Sequence, residues 1–425
     1  MRRDLILRGG RVLRFGAERP ELMDIKIATS GRIEAIGASL PVPDPAEIRD
    51  LGGQLVVPAL VDLHQHLDKS RTRALVSNPS GTLSGASKAY QALAPSITQD
   101  QIIERALQTI ETCSAHGTVA IRSHTNIEPQ SELRNIEAMV AVRERAADIM
   151  RIQVVAHVTS SAPSMFAESK DWLRGAVSLG VDVIGGVPAF SDRPTEFMKL
   201  LFEMADRSGL PLDMHIDEHL DDTRLLFDDL VAMTRAYGMS GRVVASHCSA
   251  LSALLPGEAA LIIDALRDAG IGVVTLPAAN LFLQGRDASR LAPRGLTRVK
   301  ELLDAGVAVA AASDNIQDPF VPSGSGDLLE IARWTVLAGQ LGMNDLRKAF
   351  EMVSTVPAAL MGLGSDWGIR EGARADLLIG DAASLEDLVA GGALQRQVML
   401  DGRVVASTVV ARHTEDHSLS IRDRA

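Results

Sequence analysis

The chain has 425 residues, 46% of them hydrophobic and 23% charged, the balance of a globular protein and not of a disordered one. Its 54 acids against 43 bases leave a net charge of −11, which provides no electrostatic footprint for nucleic acid or an anionic membrane. Two cysteines, Cys113 and Cys248, cannot build a disulfide framework, and the N-terminus turns polar at Arg8-Gly9-Gly10, before a signal-peptide core of about 7–15 apolar residues could form. With no apolar run of the ~20 residues that span a bilayer, a cytoplasmic location is the expectation.

The first 55 or so residues read as a small β unit: Leu5–Val12 has a strand–turn–strand pattern, Asp24–Ala28 alternates with period two, and Ser30-Gly31 supplies a turn before Arg32–Gly37. From Leu55 to about Gly362 the rhythm changes to short apolar, β-branched runs, each followed by a helical stretch. The expected strands are Leu55–His66, Thr118–His124, Ile152–His157, Val181–Val187, Leu212–Asp217, Val243–His247, Gly272–Leu276 and Val307–Ser313. Such alternation argues for parallel βαβ units, and eight is the number of strands that closes a (β/α)₈ TIM-like barrel; an open doubly wound α/β sheet is the alternative. After Gly362 the pattern returns to β, with Ala375–Gly380 and a hairpin turning at Asp401-Gly402. Residues 1–55 plus 363–425 are therefore expected to combine into one small β-sandwich beside a barrel of residues 56–362, with the polar tail beyond Arg412 frayed.

In a barrel of this kind the C-terminal strand ends open onto one face and carry the chemistry. Here those ends bear His64-Gln65-His66, His124, His157, His215-Ile216-Asp217-Glu218, His247 and Asp314. His64 and His66, at i and i+2, project to the same side of an extended strand, which suits one metal ion; taken alone, a pair of core or surface histidines fits equally. Adding His215 and Asp314 makes three imidazoles and one carboxylate, a donor set for Zn²⁺ or Fe²⁺ ahead of Mg²⁺ or Ca²⁺. Neither the role of His124 nor that of His157 follows from position, although His124 is expected to line the pocket. His116 and His219 read as solvated or helix-face residues and Cys248 as a buried, inert thiol.

The motifs His64-Gln65-His66-Leu67-Asp68-Lys69, Ser80-Gly81-Thr82-Leu83, His215-Ile216-Asp217-Glu218, Ala245-Ser246-His247, Leu283-Gln284-Gly285-Arg286 and Ser313-Asp314-Asn315 occur in this order over nearly the whole chain. In them the chain resembles the amidohydrolase superfamily and, within it, the cytosine deaminase-like branch. The resemblance implies that His64, His66, His215 and Asp314 hold one divalent metal ion. It also implies that Glu218 shuttles protons and that His247 touches the hydrolytic water or the substrate. No lysine occupies the fourth strand end, Ile184–Pro188, which favours a mononuclear centre over the binuclear branches. The implied reaction is hydrolytic deamination: a metal-bound hydroxide attacks the ring carbon while Asp314 takes the first proton. Glu218 protonates the adjacent ring nitrogen and then the leaving amine.

The substrate shell departs from the pattern. Thr159 stands where cytosine deaminases carry a glutamine that reads the pyrimidine amide edge, Asn315 replaces a second aspartate and Phe320 a tryptophan. A threonine hydroxyl cannot supply the paired donor and acceptor of an amide. The expected substrate is thus a small amino-substituted pyrimidine- or triazine-like heterocycle other than cytosine, met by Thr159, Gln284, Asn315 and Phe320. Arg286 or Arg294 is available for an acidic substituent. Release of an alkylamine or opening of a cyclic amide is the alternative chemistry. A catalytically dead scaffold is disfavoured because the four ligands and Glu218 are all present. Self-association is compatible with the branch.

Overall fold

A computed structural model describes residues 3–160, 162–291 and 293–411; the expectations for the tail beyond Arg412, His413 and His417 included, lie outside the described residues. The eight parallel strands are β1 (Leu60–Gln65), β2 (Thr118–Ile127), β3 (Arg151–Val158), β4 (Val183–Gly186), β5 (Leu212–Ile216), β6 (Val243–His247), β7 (Gly272–Thr275) and β8 (Val309–Ala311), hydrogen-bonded in chain order. Closure comes from a parallel bridge between Gln65 and Asp314, in which Asp314 N–H donates to the His64 carbonyl (2.9 Å) and His66 N–H to the Asp314 carbonyl (3.2 Å). The open doubly wound sheet is thereby ruled out.

Strands of such a barrel are covered on the outside by helices and packed on the inside, so they are buried on both faces. All ten residues of β2 are buried. Gly185 on β4 has no room for a side chain: a Cβ would lie 2.5 Å from the Asp213 carbonyl oxygen and 2.6 Å from Val155. The helices are amphipathic in the ordinary way. In Gln99–Ala115 the residues Ile102, Ile103, Ala106, Ile110 and Cys113 form the buried stripe, and a Thr98/Gln101 capping box starts the helix.

The terminal segments join in a separate, largely antiparallel sheet. Leu377–Gly380 pairs with Leu55–Pro58, and Asp4–Val12 pairs with Glu21–Ile27 on one edge and with Ala46–Asp50 and Leu55–Pro58 on the other. This forked arrangement closes around its own apolar core of Leu5, Leu7, Ile25, Ile27, Leu377 and Met399. One expectation is corrected here: the single run Leu55–His66 is two strands, Leu55–Pro58 in the terminal sheet and Leu60–Gln65 in the barrel. The chain changes partners at Ala59, whose N–H leaves the barrel ladder to donate to the Asp376 carbonyl (3.0 Å).

Candidate functional site

Barrel closure sets the site. By bridging β1 to the residue after β8, it puts His64 and His66 against Asp314, with Nε2–Oδ1 distances of 3.6 and 3.3 Å. His215, from the end of β5, brings its Nε2 to 3.4 Å from that of His66. Asp217, His247 and Asp314 all hold positive φ (47°, 71° and 61°), a backbone conformation that non-glycine residues adopt only when the surroundings impose it. These turns at the strand ends swing side chains over the barrel mouth.

The hydrogen bonds around the histidines decide which ring nitrogens face one another. His66 Nδ1 lies 2.8 Å from the His124 carbonyl oxygen, so Nδ1 carries the proton and Nε2 is left with a lone pair. The Ser246 hydroxyl donates to Asp213 Oδ1 (3.0 Å), which leaves its oxygen to accept from His64 Nδ1 (2.9 Å). His64 Nε2 and Asp314 Oδ1 are buried without a hydrogen-bond partner. The lone pairs of His64 Nε2, His66 Nε2 and Asp314 therefore converge at this point, at the cost of mutual repulsion and lost hydration, and a cation would relieve both. Nitrogen and oxygen atoms held about 2.0–2.1 Å from one tetrahedral ion are about 3.3 Å apart, close to the separations found. His64, His66 and Asp314 bring ligand atoms within 4.8 Å of one another, as do His64, His215 and His247. The donor set fits a divalent metal.

Burial and the neighbouring imidazoles hold His64, His66 and His215 well below the usual imidazole range, so they are neutral and able to ligate. His247, lowered to about 4 chiefly by burial, accepts at Nδ1 from Asn280 Nδ2 (3.1 Å) and so presents Nε2–H to the cluster. Its Nδ1 also lies 3.5 Å from Glu218 Oε1. Burial, reinforced by the charge of Asp314, pushes the Glu218 carboxyl well above the usual carboxylate range.

A cavity opens beside these groups. His66, His215, Glu218, His247 and Asp314 form one wall, and Thr159, Asn315 and Phe320 also line it, as the sequence leads one to expect. Gln284 is placed differently: it lies behind Glu218 and donates from Nε2 to the Glu218 backbone carbonyl (3.1 Å). Arg286 stacks on Phe282, 4.3 Å from the ring centroid, and Arg294 is exposed. His124 does not line the pocket as expected. β2 runs three residues beyond it, and its ring stacks beneath His64 at 3.7 Å, near Asp213. Asp213 is itself engaged by Arg122 (2.8 Å), so this lower group is neutralised within the protein.

His157 does reach the cavity, its ring 4.3 Å from that of His215. Sequence reasoning passed over three other lining residues, Lys69, Asn126 and Glu128. Lys69 stood in a quoted motif and Asn126 and Glu128 alternate in register beyond His124, a period-two signal that could have found them.

Comparison with known proteins agrees with this geometry. The model of the amidohydrolase family matches residues 71–406. A pterin deaminase from Rhizobium rhizogenes is 31% identical over 369 residues, covering 85% of this chain and 83% of the relative. An N-isopropylammelide isopropyl amidohydrolase from Pseudomonas sp. is 27% identical over 419 residues, 96% of this chain and 98% of the relative. Among solved structures, 5-methylcytosine deaminase from Klebsiella pneumoniae superposes with a TM-score of 0.88 at 29% identity, covering 98% of this chain and 100% of that one. The chain belongs to the amidohydrolase family, and it is a hydrolase acting on carbon–nitrogen bonds other than peptide bonds.

Proposed function

We propose that the protein hydrolytically removes an amino group from a small nitrogen heterocycle, with one Zn²⁺ or Fe²⁺ held by His64, His66, His215 and Asp314. The observation that carries this reading is the convergence of lone pairs from His64, His66 and Asp314, with His215 beside them, next to the buried Glu218 carboxyl in one cavity. A divalent metal bound there lowers the pKa of water from 15.7 to roughly 7, which supplies hydroxide at neutral pH.

The chain's own residues do the rest. Asp314 accepts the first proton of the attacking water through its carboxylate, and His247 Nε2–H steadies the oxygen that is added. Glu218, whose carboxyl burial pushes well above the usual carboxylate range, delivers a proton to the ring nitrogen beside the attacked carbon and makes that carbon electrophilic. Recharged with a proton from the water, it then protonates the exocyclic amine, which leaves as ammonia. Thr159, Asn315 and Phe320 border the ring, and the barrel floor keeps bulk water out.

The test is ammonia release by metal-loaded protein from a panel of amino-substituted pyrimidines, triazines, purines and pterins. Ammonia from at least one ring is the expected result. Silence across the panel with one metal bound per chain overturns deamination. It would shift the reading to release of an alkylamine, the chemistry named for the Pseudomonas relative that aligns over 96% of this chain.

A further inference from the structure

The cavity also holds two charged side chains that the reaction above leaves idle. Lys69, from the turn after β1, and Glu128, just past the end of β2, both line it, and they are only 3% and 1% exposed. Burying an ammonium and a carboxylate is costly unless each finds a partner. Among the described residues, the hydrogen bonding of Lys69 Nζ is limited to Asn126 Oδ1 (3.2 Å). The faces of Phe320 and Tyr90 lie beside it, with Nζ 4.6 and 5.8 Å from the ring centroids, and its charge acts on the Asp68 and Glu128 carboxyls. Glu128 Oε1 is buried with no hydrogen-bond partner, while the Lys69 charge and the side chains of Asn126 and Thr159 favour the charged form of its carboxyl.

The two groups are also held in place. Asp68, next to Lys69 in the chain, accepts from the Asn126 backbone N–H (3.0 Å) and from Asn135 Nδ2 (3.2 Å), which ties the β1 turn to the end of β2. Lys69 and Glu128 thus stand fixed on either side of Asn126, one offering N–H donors and the other an acceptor. Ring carbonyl and ring N–H groups side by side, as in a cyclic amide, present the complementary pair. Thr159, which cannot read such an edge alone, sits on the same wall.

We propose that Lys69 and Glu128 are the specificity pair of this enzyme, Lys69 donating to a ring carbonyl oxygen and Glu128 accepting from the neighbouring N–H. The substrate class is then an amino-oxo heterocycle whose lactam edge presents a ring N–H other than the nitrogen that Glu218 protonates. This rests on the deaminase reading for the identity of the leaving group, though not for the edge that is recognised. Neither residue touches the reacting atoms. Burial pushes the Glu128 carboxyl up to about 7, and the Lys69 charge opposes that rise; an N–H donor from the ligand would favour its charged form further.

The test compares matched rings. Turnover is measured for pterin against 2-aminopteridine, which lacks the 4-oxo group, and binding for the product 2,4-dioxopteridine against its 3-methyl derivative, whose amide N–H is blocked. Metal-loaded wild type, Lys69→Met and Glu128→Gln are compared. Wild type is expected to favour the member of each pair that carries the lactam N–H at least tenfold. Each variant should lose at least tenfold on that member and less than threefold on the other. Equal losses on both members, unchanged affinity in both variants, or no binding of the product by the wild type overturns the proposal. Ammonia release without the discrimination would sink the pair and leave the deaminase reading standing. Discriminating binding without turnover would do the reverse. If Lys69→Met fails to fold, Glu128→Gln read alone decides, with Glu128→Asp as the conservative control that should retain part of the preference.

Discussion

Glu218 and Ser246 act on the same centre from opposite sides and separate proton transfer from metal binding. Replacing Glu218 with glutamine keeps the shape of the wall and removes the transferable proton; kcat should fall by about 10²–10⁴-fold with metal content by mass spectrometry unchanged. Ser246 touches no substrate. Its hydroxyl orients His64 by accepting from Nδ1 and passing its own proton to Asp213. Ser246→Ala frees His64 to turn, and competition with a chelator should show about 10–100-fold weaker metal binding. The residues in the quoted motifs were legible because imidazoles and acids cluster at strand ends. Gln284 shows that side-chain type does not reveal direction, since here its amide donates to the Glu218 carbonyl. Asp217 is a neighbour of a different kind. It accepts from the Leu226 N–H (2.8 Å), and burial raises its carboxyl from 3.8 to about 7. A folded-state pKa above the unfolded value means the native state binds the extra proton, so this contribution is present below about pH 4 and lost as pH rises towards 7. Thermal melts should show wild type losing stability relative to Asp217→Asn between pH 4 and pH 8, by about 4 kcal/mol at most.

Strand by strand, the period of apolar residues gave correct element types, and six of the expected barrel strands overlap the observed ones to within a few residues. Leu55–His66 misled because nothing in an unbroken apolar run marks where one sheet hands the chain to another; the change at Ala59 depends on the distant Asp376 carbonyl. β2 was read as ending at His124, where its chemistry begins, whereas it pairs with β3 as far as Ile127. Inside the barrel, Arg122 on β2 donates to Asp213 on β5 (2.8 Å), to Gln153 on β3 (3.0 Å) and to the Leu360 carbonyl (3.0 Å). Arg122→Met would strand a buried carboxylate. Chemical denaturation should register a loss of about 3–5 kcal/mol, accompanied by weaker metal binding because Asp213 also anchors Ser246.

For the molecule as a whole, the terminal sheet is fastened to the barrel by buried charge as well as by apolar contact. Arg396, in the hairpin after Leu377–Gly380, grips Asp327 with both nitrogens (3.0 and 2.8 Å), and Asp327 also caps the helix Leu328–Ala338. Arg151 at the start of β3 holds Asp376 at 2.7 Å. Arg396→Met should cost about 3–5 kcal/mol, and calorimetry should show the terminal sheet and the barrel still melting in one transition. Two separate transitions would show that the fastening contributes little coupling. Among the described residues no helix is long and apolar enough to cross a membrane.

The order of residues alone settles the alternation of strands and helices, the β character of both ends and the concentration of histidines and acids at strand ends, because periodicity and motif spacing are local properties of the chain. Folding alone decides that β1 closes on Asp314, which ring nitrogen of each histidine keeps a lone pair, and that Lys69 and Glu128 face one cavity. Those outcomes depend on partners 50 to 250 residues away, as in the hydrogen bonds of His66 to His124 and of Asp62 to Ser313, and such distances leave no trace in local pattern.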